Sequence, residues 1–473
     1  MPKHTNHVSS TALATDPAAP RRNMRVRFVT AAALFAAAAG WQFSLAAHER
    51  LPEIELASPA NVDDLAQVRK TLVLPNLTSG FALLRNTSDV ASRPLPYEQA
   101  STVVSPLSVQ MALSMAAMGS SRNTAREFSD TFGWEECAPH GLKTTGEATS
   151  PRPENYRGPE GFAQDWKSLL ASTNLLAGKE SDGQSLVAVA RIIHDKDLRI
   201  AKPYNSLVRT AFGDVIAAGD FDDKPAIAKD VNDWVKRTTR GMIPQLMTAE
   251  DVKPGGAVLV SALYFKGKWS QPFWKSATSE QNFSTSEGEV ERVRMMMQVS
   301  IFAYAEDAGA QVAVLRYDNG CSMVLMLPPA GKFDSFIADL TGERFTNMLG
   351  MLQPRKVDLR MPKLKLEKNF SLKPALMQMG LRDAFTDKAN FSNFATNKPL
   401  YIADVRHIVK MDIDEEGTEA AAVTGVIMGV TSAPAKREPD PTKLYLDRPF
   451  VLALRHDATG QLLFVAAVRS TKR

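Results

Sequence analysis

Asp414-Glu415-Glu416-Gly417-Thr418-Glu419-Ala420-Ala421-Ala422-Val423-Thr424-Gly425-Val426-Ile427-Met428-Gly429-Val430-Thr431-Ser432-Ala433-Pro434 is the stretch whose reading decides the fold. It begins acidic, passes a glycine and continues in small residues of rising β-propensity. An Ala-rich helix or a flexible linker is the plain reading. Val423, Thr424, Val426, Ile427, Val430 and Thr431 oppose a helix, because branching at Cβ restricts rotamers against the preceding turn. At period two, Thr418, Ala420, Ala422, Thr424, Val426 and Met428 share one face, and all are small or apolar. The segment reads as a strand that awaits a partner sheet.

The neighbouring sequence supplies that sheet. Leu186 to Ile193 reads as a buried strand, and Ala257 to Phe265 is an apolar run short enough for a central one. Ser322 to Leu327 is another. Val357 to Leu366 alternates apolar and charged residues as one half-buried strand. Phe450 to Leu454 and Leu462 to Val468 flank Asp457-Ala458-Thr459-Gly460, a hairpin signal. Helices are expected over Asn76 to Ser88, after Ser105-Pro106 up to Gly119, over Ile227 to Met247, and over Leu372 to Gly380. Glu135 to Gly161, rich in Pro, Gly, Thr and Glu, reads as a long surface loop. The class is α+β, with a mixed or antiparallel central sheet, surrounding helices, and no internal repeat.

The chain has 473 residues, 44% hydrophobic and 23% charged, so a core that folds unaided is available. A net charge of +4 spread over this length is no nucleic-acid footprint. Cys137 and Cys321 are two thiols without metal-ligand spacing, free or joined in a single bridge. No metal or cofactor is expected. No G-x-S-x-G elbow, P-loop, HExxH or helix-opening G-x-G-x-x-G occurs. Of seven histidines, only His194, His407 and His456 fall in the segments read as ordered. Nothing in the pattern points to an enzyme.

The N-terminus carries an export pattern. A basic stretch ends in Arg21, Arg22, Arg25 and Arg27, and Phe28 to Ala47 is an uncharged, Ala-rich apolar run. Ser44-Leu45-Ala46 fits a small-x-small cleavage site. The run is also long enough to anchor in a bilayer, so membrane attachment is expected only if it is retained. Translation starting at Met24 would give the segment a more usual length. The expected organisation is an export segment or anchor over 1–47, a linker over 48–73 and one large domain over 74–473. The protein is placed in a secreted or otherwise extracytoplasmic compartment.

Glu415-Glu416-Gly417-Thr418-Glu419-Ala420-Ala421-Ala422 is similar to the hinge of inhibitory serpins, and other motifs follow in family order over about residues 74 to 470. They are Ser105-Pro106-Leu107-Ser108 with Asn123-Thr124-Ala125-Arg126-Glu127; Asn232-Asp233-Trp234-Val235 with Thr238, Thr239, Gly241 and Ile243; and Val260-Ser261-Ala262-Leu263-Tyr264-Phe265-Lys266-Gly267-Lys268-Trp269. Met361-Pro362-Lys363 and Arg448-Pro449-Phe450 complete the series. The resemblance implies one serpin-type domain with an exposed reactive loop over about 415–440. It implies that a serine protease attacks the loop, forms an acyl-enzyme, and is trapped in a covalent complex as the hinge inserts into the central sheet. A monomer without catalytic groups would suffice. A non-inhibitory serpin that acts as a binding or chaperone-like protein is the alternative.

Family spacing, fourteen residues beyond Gly417, sets the reactive bond at Thr431–Ser432. Such a bond suits an elastase-like or subtilisin-like pocket. Val430 is the nearest alternative, and Lys436 and Arg437 offer a trypsin-like one. Trp269 and the pair of Lys363 with Glu415 resemble the top of the sheet, where insertion begins. Ser105, Ser108 and His407 resemble a mid-sheet hydrogen-bond cluster that opens during insertion. Ser261 stands where the family often has Asn, which is expected to loosen that cluster. Ala466-Ala467 replaces a more usual Gly-Arg, with ordinary folding expected.

Overall fold

A computed structural model of the chain describes residues 67–91, 101–134, 157–173, 185–253, 256–418 and 439–472. The export segment 1–47, most of the linker, Cys137, the hinge residues Glu419, Ala420, Ala421 and Ala422, and the reactive-bond candidates Val430, Thr431, Ser432, Lys436 and Arg437 lie outside the described residues. Among those described, no helix is long and apolar enough to cross a membrane.

In chain order the helices are α1 (Leu74–Ala91), α2 (Pro106–Gly119), α3 (Arg122–Phe132), α4 (Gly158–Thr173), α5 (Lys202–Phe212), α6 (Lys224–Thr238), α7 (Phe333–Asp339), α8 (Gly342–Gly350) and α9 (Lys373–Met379). The early strands are β1 (Thr102–Val104), β2 (Ser185–Asp195), β3 (Ile216–Gly219), β4 (Gly256–Lys268) and β5 (Ser279–Ser284). Then come β6 (Val290–Asp307), β7 (Ala310–Arg316), β8 (Cys321–Leu327), β9 (Gln353–Pro362) and β10 (Leu364–Ser371). The last are β11 (Tyr401–Ile413), β12 (Gly417–Thr418), β13 (Thr442–Tyr445), β14 (Phe450–His456) and β15 (Leu462–Val468).

Two sheets result. One runs β10-β11-β12-β4-β2-β3; the other runs β1-β15-β14-β8-β7-β6-β9-β13, with β5 paired to β6. β4 is apolar without alternation because both its faces are covered. Ala257, Leu259, Leu263 and Phe265 join the main core, while Val258, Val260, Ala262 and Tyr264 meet Ile227, Val231 and Val235 of α6. α6 therefore lies across the sheet that carries the hinge. Ser105 caps α2 as expected, its side chain accepting from Ser108 N, with Pro106 in the first turn. Ala466 and Ala467 are fully buried in β15, between β1 and β14, so their small side chains suit a strand enclosed by neighbours.

Four sequence expectations need correction. The helix expected over 227–247 spans Lys224–Thr238 instead. The Thr238 and Thr239 hydroxyls bond back to the carbonyls of Trp234 and Val235, and Arg240 and Gly241 then take positive φ, which ends the helix. The loop expected up to Gly161 stops earlier, since α4 begins at Gly158. The single strand expected over 357–366 is two, β9 and β10, which belong to different sheets and part at Lys363. The alternation itself slips there: its apolar positions are Val357, Leu359 and Met361 before the break and Leu364 and Leu366 after it, a shift of one residue at Pro362-Lys363. Packing also starts ahead of Leu74. A π-helical turn over Arg69–Val73 leads into α1, with Val68 and Leu72 buried.

Asn76 ties α1 to β15. Its Oδ1 accepts from Leu462 N at 2.7 Å and its Nδ2 donates to Leu462 O at 3.4 Å, and its own side chain is fully buried. Asn76→Ala strips the buried Leu462 N–H of this partner and is expected to cost about 1–3 kcal/mol. Thermal unfolding of the variant against the unmodified chain measures it.

Candidate functional site

β4 and β11 run parallel and pair directly from Tyr401↔Gly256 to Lys410↔Tyr264. Above that ladder the two strands part, and β12 stands between them. Thr418 pairs with Ile413 of β11 and with Gly267 of β4, and Gly417 pairs with Lys268. Gly417 has φ +152°, and a Cβ there would lie 2.0 Å from Gly267 O, so only glycine fits. Two residues of the hinge, Gly417 and Thr418, thus already lie in the sheet.

The turn that delivers them is tightly held. Asp414 Oδ1 accepts from Glu416 N at 2.9 Å and Gly417 N at 3.2 Å, and Asp414 N donates to Gly417 O. Trp269 contributes two bonds, its backbone N to Glu416 O at 2.9 Å and its Nε1 to Asp414 O at 3.0 Å. Phe273 N donates to Glu415 O. Lys275 pairs with Glu416. Trp269 stacks on Tyr317 with centroids 4.1 Å apart, and the Tyr317 hydroxyl meets Thr418 Oγ1 at 3.0 Å.

Lys363 and Glu415 do come together, with Nζ 2.5 Å from Oε2, and Thr278 Oγ1 donates to the other carboxylate oxygen at 2.8 Å. Burial pushes the Glu415 carboxyl up, but the bonds from Lys363 and Thr278 outweigh it and hold the carboxyl below its usual range. Glu415 is only 5% exposed, so the pair is no loose surface contact. Removing Lys363 would leave a buried, undercompensated charge, which costs more than an exposed pair is worth.

Midway down the ladder, His407 lies opposite Ser261 in register. Its Nδ1 is 2.9 Å from Ser261 Oγ, and its Nε2 accepts from Ser105 N at 3.0 Å. The acceptor role of Nε2 places the proton on Nδ1. Ser108 N donates to Ser105 Oγ at 3.3 Å, so the expected cluster of Ser105, Ser108, Ser261 and His407 forms at the start of α2. The shorter Ser261 side chain still reaches the imidazole. Burial pushes His407 down to about 3, against an opposing bond from the Ser261 backbone. The N-terminal end of a helix beside it also disfavours a cation.

Sequence reading missed Phe273, Lys275 and Thr278, from the connection between β4 and β5, and Tyr317, just past the end of β7. Nothing in the local sequence marks them, because only the meeting of two sheets brings them to the hinge. The other buried titratable groups are packing groups. Burial raises the Cys321 thiol to about 12, with Asp457 adding to it, and such a thiol is a poor nucleophile. Burial lowers His194 and His456. Among the described residues no group of three or more His, Cys, Asp or Glu is placed to hold a metal ion.

The His407 environment sets a pH dependence. The imidazole is neutral when folded but titrates near 6.5 when unfolded, so the unfolded chain binds the extra proton. The His407 contribution is complete above about pH 6.5 and is lost as pH falls toward 3, by about 1.4 kcal/mol per pH unit. His194 and His456 act in the same sense, so the His407 share is the difference between the unmodified chain and His407→Asn. Stability measured between pH 7 and 5 is expected to fall less steeply in that variant.

Comparison with known proteins agrees with this architecture. The family model described as Serpin (serine protease inhibitor) matches residues 80–471. The leukocyte elastase inhibitor of Bos taurus is 30% identical over 382 residues, 78% of this chain and 92% of its own length. The corticosteroid-binding globulin of Pongo abelii is 28% identical over 367 residues, 77% of this chain and 83% of its own. The native-state crystal structure of tengpin, a thermophilic serpin, superposes with a TM-score of 0.70 at 24% identity, covering 87% of this chain and 96% of that one. A two-sheet fold with the hinge set between β4 and β11, and a family match over most of its length, place this chain in the serpin family, whose members in general inhibit serine proteases.

Proposed function

We propose that the chain is a suicide inhibitor of elastase-like or subtilisin-like serine proteases, acting from an extracytoplasmic compartment. The observation that carries the reading is the position of Thr418, paired with Ile413 of β11 on one side and Gly267 of β4 on the other, between strands that remain closed to each other further down. The protease attacks Thr431–Ser432 and is held as an acyl-enzyme on Thr431. The hinge then zips into the sheet and separates β4 from β11.

The register supports the choice of bond. Continued residue for residue from Thr418↔Gly267, the inserted strand sets Gly429 opposite Gly256, the first residue of β4. Val430 and Thr431 then fall just past the end of the sheet, so an enzyme attached at Thr431 is carried along the full length of β4. Cleavage at Lys436 or Arg437 would leave several residues of slack, and the attached enzyme would keep its freedom to deacylate. In the same register Thr424 comes opposite Ser261 on one side and His407 on the other. Its hydroxyl replaces the bond that those two lose when the strands separate. The inward face of Thr418, Ala420, Ala422, Thr424, Val426 and Met428 carries no charge, which matters because burying an unpaired one costs several kcal/mol, roughly.

A second reading has an observation of its own. One relative is a corticosteroid-binding globulin, so a serpin that binds a small molecule instead of trapping a protease fits the same fold. The uncharged hinge favours inhibition.

Incubation of the purified chain with pancreatic elastase, subtilisin and trypsin, followed by denaturing gels and mass mapping, separates these readings. A stable complex with a released fragment that begins at Ser432 is the expected result. Clean cleavage without complex, or a fragment that begins after Arg437, favours the binding reading or another loop register. Thr418→Arg places a charge in the closed sheet and is expected to convert inhibitor into substrate. Full inhibition by that variant would sink the insertion mechanism.

A further inference from the structure

β12 is only two residues long, and its register pairs are Thr418↔Ile413, Thr418↔Gly267 and Gly417↔Lys268. So short a ladder is marginal by itself, since ordering each residue costs backbone entropy that so few pairs barely offset. Something further holds Thr418, whose side chain is fully buried. Its hydroxyl meets that of Tyr317 at 3.0 Å.

Tyr317 is fixed from several sides. Its ring stacks on Trp269 and takes an edge from Phe265 at 4.9 Å. Its N–H donates to Cys321 O at 2.9 Å. The ring lies against the bare backbone of Gly267, where a Cβ would come within 2.8 Å of Tyr317 Cδ1. All of this packing would serve a phenylalanine equally well. The hydroxyl is the exception. It is buried, it requires a partner, and it is aimed at the hinge residue that pairs with both β4 and β11.

We infer that Tyr317 is a positioning residue whose hydroxyl latches Thr418 between β4 and β11 in the uncleaved chain. Insertion then begins from a preformed first pair instead of an empty gap. The inference rests on the insertion reading proposed above and adds to it a reason why insertion outruns deacylation. The ordering of the first residues, the least rewarded part of building a new strand, is complete before the protease arrives.

The test is a double-mutant cycle on the full, uncleaved chain with Tyr317→Phe, Thr418→Val and both together. The readout is amide hydrogen exchange over 266–270 and 413–418, which includes the Trp269 N–H bonded to Glu416 O. Each single variant leaves one buried hydroxyl unpaired and is expected to speed exchange by about tenfold. The double variant leaves two apolar groups facing each other and is expected to return toward the unmodified rate. Exchange that is unchanged in all four proteins, or single effects that simply add, would overturn the latch. Should Tyr317→Phe fail to fold, faster exchange in Thr418→Val supports the latch and unchanged exchange overturns it. Titration of a fixed amount of protease gives a second readout. The moles of chain consumed per mole of enzyme should rise in each single variant and recover in the double. If the unmodified chain forms no covalent complex, the inhibitor reading fails, while the exchange data still decide the latch.

Discussion

The parallel ladder between β4 and β11 is the constraint on which the rest of the molecule depends. It is closed over most of its length and parted at one end, and the parting holds two residues of the hinge. Parallel pairing is somewhat less stable per residue than antiparallel pairing. A strand that entered between β4 and β11 would be antiparallel to both, as β12 already is. Specific contacts cross the seam at two levels: Ser261 to His407 to Ser105 at its middle, and Trp269, Lys363, Thr278 and Tyr317 at its mouth.

Those contacts divide by chemistry. At the mouth they are charged or aromatic and fix a turn; Asp414, Glu415 and Glu416 each have a partner on another element. At the middle they are neutral, small and dry. A neutral imidazole with both nitrogens engaged bridges β4, β11 and the start of α2 at no cost in buried charge. α6 covers the other face of the same strands with Ile227, Val231 and Val235. Apolar contacts of that kind are non-directional and can slide, so the sheet can widen under α6 without breaking specific bonds there.

Much of this was legible in the residues. The apolar run of β4, the Ser105-Pro106 start of α2, the β14–β15 hairpin and the Gly380 stop are local signals, and each appears where the sequence places it. The pairs Lys363–Glu415 and Ser261–His407 were legible only through family resemblance, since 52 residues separate the first pair and 146 the second. Errors fell where a break signal inside a patterned run was passed over. The alternation slips by one residue at Pro362-Lys363, where β9 gives way to β10, and Gly241 and Pro244, both helix breakers, stand just beyond the Thr238 end of α6.

By itself the sequence determined the class of fold, the order of its elements, and a hinge whose inward face is small enough to be buried. Those properties follow from side-chain size, branching and periodicity, which act over a few residues. The tertiary structure decided how far the hinge has already entered, which carboxylate is buried against which lysine, and that Tyr317 reaches Thr418. These depend on where two sheets meet, and that is set by packing the whole core, a sum over contacts distant in sequence that no short window contains.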